Sequence, residues 1–470
     1  MIKRTLEQIA AMAEGTLSGA VLNAAAGGDF ADIPIQGVST DSRTIAPGQL
    51  FVPLAGEHFD GHEYIDTAFA KGAAAALWQQ DHPLPPGNRP LILVDDTLHA
   101  LQRLAKAYRR ELALRVVGIT GSNGKTTTKD MTASALSTVY QVLKTKGNLN
   151  NHIGLPLTLL QLDETMEAAV LEMGMSSRGE IALLTSLAEP DVAIITNIGE
   201  SHLLQLGSRE EIARAKTEIL AGMKDGGLLI YNGDEPLIEQ VLPEMPQPAA
   251  LRLLRFGMGT DNDLYPVSIQ MDGQSTRFLS NDPDAPEFHI PLLGRHNVTN
   301  ALAAYAAACS LGVPADKAAE GLAASSMTSM RIERLEAPNG AVVLNDAYNA
   351  SPTSMRAALS LLSELTGFRR KIAVLGDMLE LGEGEAAYHG EMGRKAAESG
   401  VDLLYVYGPR SRNMAEAAAE RMPADKVRYF PDKPEMIQNL VSETSAGDVV
   451  LVKASRGMKL EEAVQALLCK

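Results

Sequence analysis

Residues Val116 to Thr128 read VVGITGSNGKTTT, an apolar strand running into a glycine-rich loop that closes on Gly124, Lys125 and Thr126 where a helix would begin. Phosphates are held by convergent backbone N–H groups, a helix N-terminus, a lysine on the outer phosphates and a hydroxyl on a magnesium ion, and this segment offers all four. It predicts a nucleotide triphosphate site over Gly121, Ser122, Asn123, Gly124, Lys125, Thr126 and Thr127. The loop is shortened. The general pattern has a glycine five residues before Gly124, where this chain has Ile119, and the turn glycine is Gly121.

Three further residues have types suited to phosphate chemistry. Glu172 closes the apolar stretch Ala168 to Leu171 ahead of a Gly-containing turn, and a carboxylate there can coordinate the magnesium that bridges phosphates. His202 lies in the loop TNIGESHLLQLGS, where a lone histidine is as readily structural as ligating. The helix expected from Ser208, with Glu211 completing a capping box, carries Lys216 on the same stripe as Ile212, Ile219 and Leu220. A lysine on a core-facing stripe either snorkels or is desolvated, and a desolvated lysine is neutral enough to take up carbon dioxide as a carbamate.

The polar residues that end strands suggest where these groups meet. Glu172, Asn197, Asp346, Asp377 and Lys453 each close an apolar run, and in open parallel sheets ligands bind beyond the carboxyl ends of the strands. Any one of them equally suits a helix cap; five on two sheets predict one cleft between the second and third sections. Those sections follow from the pattern. Residues 1–98 are small and mixed, with strands in GQLFVPLAG and LILVDD and a helix over YIDTAFAKGAAAALW. A helix from Thr97 to Leu112 connects this section to the next; residues 99–327 then alternate strand and helix in a doubly wound pattern, and residues 328–470 alternate again. The fold class is α/β with three domains: a small mixed N-terminal one, a central P-loop domain on a parallel sheet, and a C-terminal Rossmann-like one.

Composition narrows the function. The chain of 470 residues carries 58 acidic and 42 basic side chains, a net charge of −16, so nucleic acid and anionic membranes are poor partners. Cys309 and Cys469 make no disulfide framework. No apolar run reaches bilayer length, and the expectation is a cytoplasmic monomer with no membrane insertion.

The segments TGSNGKTTT, TKGNLNNHIGLPLTLL, LEMGMSSRGEI, TNIGESHL, RAKTEIL, LLGRHNVTNALAAYAAA and LNDAYNASPTSM, in this order, resemble the Mur ligases of peptidoglycan synthesis along essentially the whole chain. Within that family, DAYNASPTSM (346–355) and LGDMLELGE (375–383) resemble the member that adds D-alanyl-D-alanine to UDP-N-acetylmuramoyl-tripeptide. The resemblance implies an ATP-dependent ligase working through an acyl phosphate. It assigns catalytic parts to Lys125, Glu172, His202, Lys216 and Arg331, and two magnesium ions to Thr126, Glu172, His202 and a carbamylated Lys216. Asn297 and Asn300 would approach the adenine, Asp346 the ribose, and Arg331 the γ-phosphate from across the cleft. Ser39, Thr40, Asp41, Ser42 and Arg43 would hold the uridine nucleotide; taken bare they make an Asx-type turn with a surface ion pair. Asn148, Asn150, Asn151 and His152 form an amide-rich loop suited to sugar and peptide carbonyls, and Tyr348, Asn349, Ser351 and Pro352 border either the dipeptide or the nucleotide. The rivals are another ligase on the same scaffold with a different amino acid or a folate-like acceptor, a nucleotide-driven switch or motor, and a non-catalytic binding module.

Overall fold

The computed structural model describes residues 1–18 and 30–469. The N-terminal sheet runs in the order Thr16–Leu17, Leu91–Val94, Ala75–Gln79, Leu50–Phe51, Val38–Ser39, with only the first pair antiparallel. The helix expected over residues 64–78 is only half formed. It spans Ile65–Ala70 and stops at Gly72, whose φ of +97° no L side chain takes comfortably, and Ala75–Gln79 is a strand with its first four residues buried. Small alanines suit a strand covered on both faces as well as a helix, so composition alone did not separate them.

The helix Thr97–Glu111 is started by Asp96, whose carboxylate accepts from the His99 N–H at 2.7 Å. It buries Leu101, Leu104, Ala105 and Tyr108 in a core that continues without a break from the N-terminal section into the central one. Tyr108 donates to the Leu162 carbonyl and Arg109 to that of Ala188, so the helix is bolted to the central domain.

The central sheet has six parallel strands in the order Val142–Lys144, Ala168–Glu172, Arg115–Thr120, Val192–Ile195, Leu228–Asn232, Arg252–Phe256. The strand before the glycine loop lies inside the sheet, and the order reverses beside it. That reversal is where a doubly wound sheet opens a crevice. The alternation of strand and helix is interrupted after Phe256 by an antiparallel sheet of Pro266–Met271, Thr276–Ser280 and Phe288–Ile290. Phe278 and Phe288 stack at 4.7 Å, and Phe288 meets Tyr305 of the helix Arg295–Ser310 edge to face, in a core that the P-loop helix, Lys125–Leu136, shares.

The C-terminal sheet runs Glu333–Glu336, Val342–Asp346, Asp448–Lys453, Arg370–Gly376, Leu403–Tyr407, Val427–Phe430, with the first strand antiparallel and the rest parallel. Helices cover both faces and give it two cores. Its tightest helix contact is between Glu385–Glu398 and Arg412–Ala419, where a Cβ on Gly393 would stand 2.0 Å from the Met414 carbonyl oxygen. Gly393→Ala is expected to destabilise the C-terminal domain by about 1–3 kcal/mol, read as an earlier transition in urea unfolding; an unshifted curve would mean that these helices separate at no cost.

Candidate active site

Gly121 leaves the central strand at φ +146°, and a Cβ there would lie 1.8 Å from Thr196 Oγ1. Gly124, at φ +80°, starts the helix Lys125–Leu136, and its Cβ would meet Asn300 Oδ1 at 2.6 Å. Both glycines are therefore required by the crowding around the loop, whose Ser122 and Asn123 N–H groups donate to the Asn197 carbonyl and Oδ1 at 3.0 Å. Lys125 curls back over the loop to the Gly121 carbonyl at 2.7 Å, and burial pushes its ammonium pKa down, with Glu172 opposing and Arg331 adding to the shift.

Glu172 ends its strand 3% exposed. Its Oε2 accepts from the Thr126 hydroxyl at 2.9 Å and its Oε1 from the Asn150 amide at 2.8 Å. Lys216 occupies the helix Arg209–Thr217, whose first turn is capped by Ser208, and is 2% exposed. Among the described residues nothing bonds its Nζ, and burial, reinforced by Lys125, holds its pKa well below that of a solvated lysine. His202 has a lowered pKa as well, first from burial, with Glu380 pulling the other way.

Across the cleft, Arg331 donates to Thr126 Oγ1 at 3.2 Å and stacks over the Tyr348 ring at 4.0 Å. The residues on either side of it, Met330 and Ile332, have φ of +62° and +54°, a strained pair that fixes the direction in which the guanidinium leaves the chain. Ser351 caps the helix Pro352–Glu364 and touches Asn123 Oδ1 at 3.2 Å, while Lys453 pairs with Asp346 at 2.6 Å. A cavity of about 410 Å³ runs between the two domains, bordered by Lys125, Glu172, His202, Lys216, Arg331 and Asp346. It is lined by four basic side chains, Lys453 included, and three carboxylates, Glu172, Glu180 and Asp346, a basic excess that suits a polyanion.

Three family models match the chain: the Mur ligase middle domain over residues 119–308, the Mur ligase glutamate ligase domain over 330–456, and the Mur ligase family catalytic domain over 34–109. A UDP-N-acetylmuramoyl-tripeptide–D-alanyl-D-alanine ligase of Bacillus subtilis (strain 168) is 48% identical over 468 residues, covering 100% of this chain and 99% of that one. The chain belongs to the Mur ligase family. A crystal structure of MurF from Acinetobacter baumannii superposes with a TM-score of 0.88 at 31% identity over 100% of both chains. MurF ligase from Thermotoga maritima in complex with ADP superposes with a TM-score of 0.81 at 30% identity, over 92% of this chain and 97% of that one. The three-domain α/β architecture is that of the family.

Against this Mur ligase frame, most of the residues singled out in the sequence converge. Ser122, Asn123, Gly124, Lys125, Thr127, Asn150, Asn151, Glu172, His202, Lys216, Asn297, Asn300, Arg331, Asp346, Tyr348 and Asn349 border the cavity. Thr126 lies just behind it, joined to Glu172 and Arg331. Asn297 and Asn300 bond to each other and to the Leu293 carbonyl and Thr128 hydroxyl, and the N-cap of their helix is Gly294. Asn148, His152 and Pro352 border no part of it. Ser39 to Arg43 stand apart in the N-terminal domain, where Arg43 folds onto Asp41 at 2.8 Å and holds its carboxyl down at about 2. Of the five strand-ending residues, Asp377 does not reach the cleft: it is fully buried in the C-terminal domain and accepts from the Ser411 N–H. A strand of the same sheet can aim its last residue into the loop beside it as well as at the crevice.

Three titratable residues at the seam, Glu200, Glu380 and His296, were given no role by the sequence. Glu200, two residues before His202, is 4% exposed and accepts from the Thr353 N–H at 3.0 Å, the Thr353 hydroxyl at 2.7 Å and Arg356 at 2.7 Å, joining the central domain to a C-terminal helix. Glu380 meets His202 across the same seam. His296 borders the cavity beside Asn297, and burial pushes its pKa down to about 4, with Asp346 opposing and Lys453 adding. In the sequence Glu200 and His296 show only as titratable residues near ones already suspected, and Glu380 only as part of the segment LGDMLELGE.

The His296 shift has a pH consequence. An unfolded imidazole takes up a proton near 6.5, whereas the buried one stays neutral until about 4. The stabilisation is therefore present above 6.5 and is lost as pH falls toward 4, at up to about 1.4 kcal/mol per pH unit. Replacing His296 by Asn should flatten the urea-measured stability profile across that window, and an identical slope in the variant would rule the assignment out.

Proposed function

We propose that this chain is an ATP-dependent ligase that joins D-alanyl-D-alanine to UDP-N-acetylmuramoyl-tripeptide through an acyl phosphate, giving the pentapeptide precursor of peptidoglycan. The observation that carries the reading is the interdomain cavity in which Lys125, Lys216 and Arg331 surround one space, in a chain 48% identical end to end to a relative of that name. A nucleotide there is supported by the ADP complex of the Thermotoga maritima relative. The loop Gly121 to Thr127 holds the phosphates, Asn297 and Asn300 face the adenine, and Asp346 takes the ribose. Ser39 to Arg43 bind the uridine diphosphate, and Asn148, Asn150 and Asn151 the muramoyl peptide.

The donor set fits magnesium. The Thr126 hydroxyl and Glu172 carboxylate are adjacent buried oxygens, and the unpartnered, desolvated Lys216 is an amine able to form a carbamate, itself an oxygen ligand. Thr126, Glu172, His202 and a carbamylated Lys216 would hold two ions, which neutralise phosphate charge when bound.

A carboxylate reacts with an amine at neutral pH only after its oxygen becomes a leaving group. The tripeptide's terminal carboxylate attacks the γ-phosphorus of ATP, and the bond to the ADP oxygen breaks. Lys125 and Arg331 supply positive charge where the transferred group carries negative charge, which is most of what phosphoryl transfer asks of a protein. The dipeptide amine then attacks the acyl carbon, loses a proton, and phosphate departs. An acyl phosphate is open to hydrolysis, and the Glu200, Arg331 and Ser351 contacts hold the C-terminal domain over the cleft while it exists.

Phosphate release measured with ATP, UDP-N-acetylmuramoyl-tripeptide and D-alanyl-D-alanine should fall to background when any one is omitted; release indifferent to the dipeptide would sink the assignment. Lys216→Ala is expected to lose about 10²–10³ in turnover, the scale of one electrostatic catalytic group. Added acetate or formate should restore part of it. Full activity in the variant would refute the carbamate.

A further inference from the structure

The chain passes from the central to the C-terminal domain between the helix Ala315–Ala323 and the strand Glu333–Glu336, and Arg331 sits near the end of that linker. Its guanidinium is weakly fixed by its own contacts. One nitrogen reaches Thr126 Oγ1 at 3.2 Å, Nε is buried with no partner among the described residues, and the Tyr348 ring at 4.0 Å supplies a face and not a direction. Something else must set where the chain delivers it.

Three residues earlier, Thr328 is bonded twice to one carboxylate oxygen: Asp130 Oδ2 accepts from its N–H at 3.0 Å and from its hydroxyl at 2.8 Å. Asp130 stands 1% exposed on the P-loop helix Lys125–Leu136, four residues after Thr126. Residues four apart share a helix face and lie about 6 Å apart along the axis, so the linker runs along that face with Thr328 at one turn and Arg331 at the next. The carboxylate divides its contacts between its oxygens. Oδ1 faces Lys144 at 2.6 Å and Lys129 at 3.5 Å, so neutralising charge occupies one oxygen and the linker has the other. Burial pushes the Asp130 pKa up, but the two lysines and the Thr328 hydroxyl outweigh it and the net shift is downward, which keeps it an ionised, strong acceptor.

We propose that Asp130 is a positioning residue for phosphoryl transfer: by holding Thr328 against the P-loop helix it sets the register at which Arg331 meets Thr126 and the γ-phosphate. The proposal rests on the ligase reading above and deepens it. Asp130 itself does not border the cavity. Met330 and Ile332, on either side of Arg331, have φ of +62° and +54°, and such residues persist only where the surroundings hold them. Asp130 holds the flank before them. The Glu333 carboxylate, which accepts from the Met330 N–H and the Asn345 amide at 3.1 Å each, holds the flank after.

The test is steady-state phosphate release by the full-length enzyme with ATP, UDP-N-acetylmuramoyl-tripeptide and D-alanyl-D-alanine. Asp130→Ala should lower kcat about tenfold, the scale of one charged hydrogen bond, and move the KM for ATP by less than about twofold. Thr328→Val removes only a hydroxyl on the half-buried linker; kcat should fall about threefold, and Thr328→Ser should restore it. In an Arg331→Ala background neither Asp130→Ala nor Thr328→Val should slow the enzyme further, because there is no guanidinium left to misplace. Lys144→Met, which strips Oδ1 and leaves Oδ2 to Thr328, should bring urea unfolding earlier while holding kcat within about twofold. Losses that add to that of Arg331→Ala, or a kcat as low in Lys144→Met as in Asp130→Ala, would overturn the positioning role and leave Asp130 a structural charge. Full kcat in Arg331→Ala would remove the arginine's part and the positioning with it. Phosphate release by wild type that ignores the dipeptide would instead overturn the ligase reading, whatever the variants do.

Discussion

The arrangement depends on an imbalance of buried charge. Lys125, Lys216, Arg331 and Lys453 face one cavity with Glu172 and Asp346 as the carboxylates closest to them, and burial lowers the pKa of both Lys125 and Lys216. Desolvated cations are costly unless paired, so a cleft lined in this way carries an electrostatic deficit that a polyphosphate relieves. Lys125 also depresses Lys216, while Arg331 is the cation that adds to the shift of Lys125. Lys125 as the cation on the phosphates and Lys216 as a neutral amine is the lower-energy division, because two ammonium groups sharing one dry space repel. Proximity thus assigns different chemistry to two residues of the same type.

That deficit is shared between two domains, and the seam is made of contacts that neither could make alone. Arg331 reaches Thr126, Glu200 receives the start of the helix Pro352–Glu364, and Ser351 touches Asn123 of the phosphate loop. The backbone carries the cost in Met330, Ile332, His202 and Glu380, all with positive φ and all at the seam. A residue held in a sparsely populated conformation costs of order 1–3 kcal/mol, so this interface is poised and not simply sticky.

What was legible in the sequence follows physical range. The phosphate loop is local, because strand, glycines, Lys-Thr and helix lie within thirteen consecutive residues, and the loop formed as read. Lys216 was legible because helical periodicity set it on the stripe of Ile212 and Ile219, and it is buried there. The short helix at Ile65–Ala70 was overextended because alanine runs serve helix and covered strand alike, and the antiparallel sheet after Phe256 breaks an alternation that the sequence pattern carried through. Glu200 and Glu380 were not legible, since their partners lie about 150 and 180 positions away and only the folded seam brings them together. Asp377 had the same sequence signal as Asp346 and points into the C-terminal domain, because strand ends on one sheet diverge as the sheet twists.

Placing the reacting groups at a seam has a chemical logic that a site inside one domain would lack. An acyl phosphate must form where water is scarce, yet its substrates are charged and must arrive through water. A cleft whose phosphate loop belongs to one domain and whose Arg331 and Asp346 belong to another is wet when open and complete only when closed. Because Arg331 bonds Thr126, which bonds Glu172, closure, phosphate charge and the carboxylate suited to metal are joined through one hydroxyl. A change at any of the three is felt by the other two, so closure need not be timed separately from chemistry.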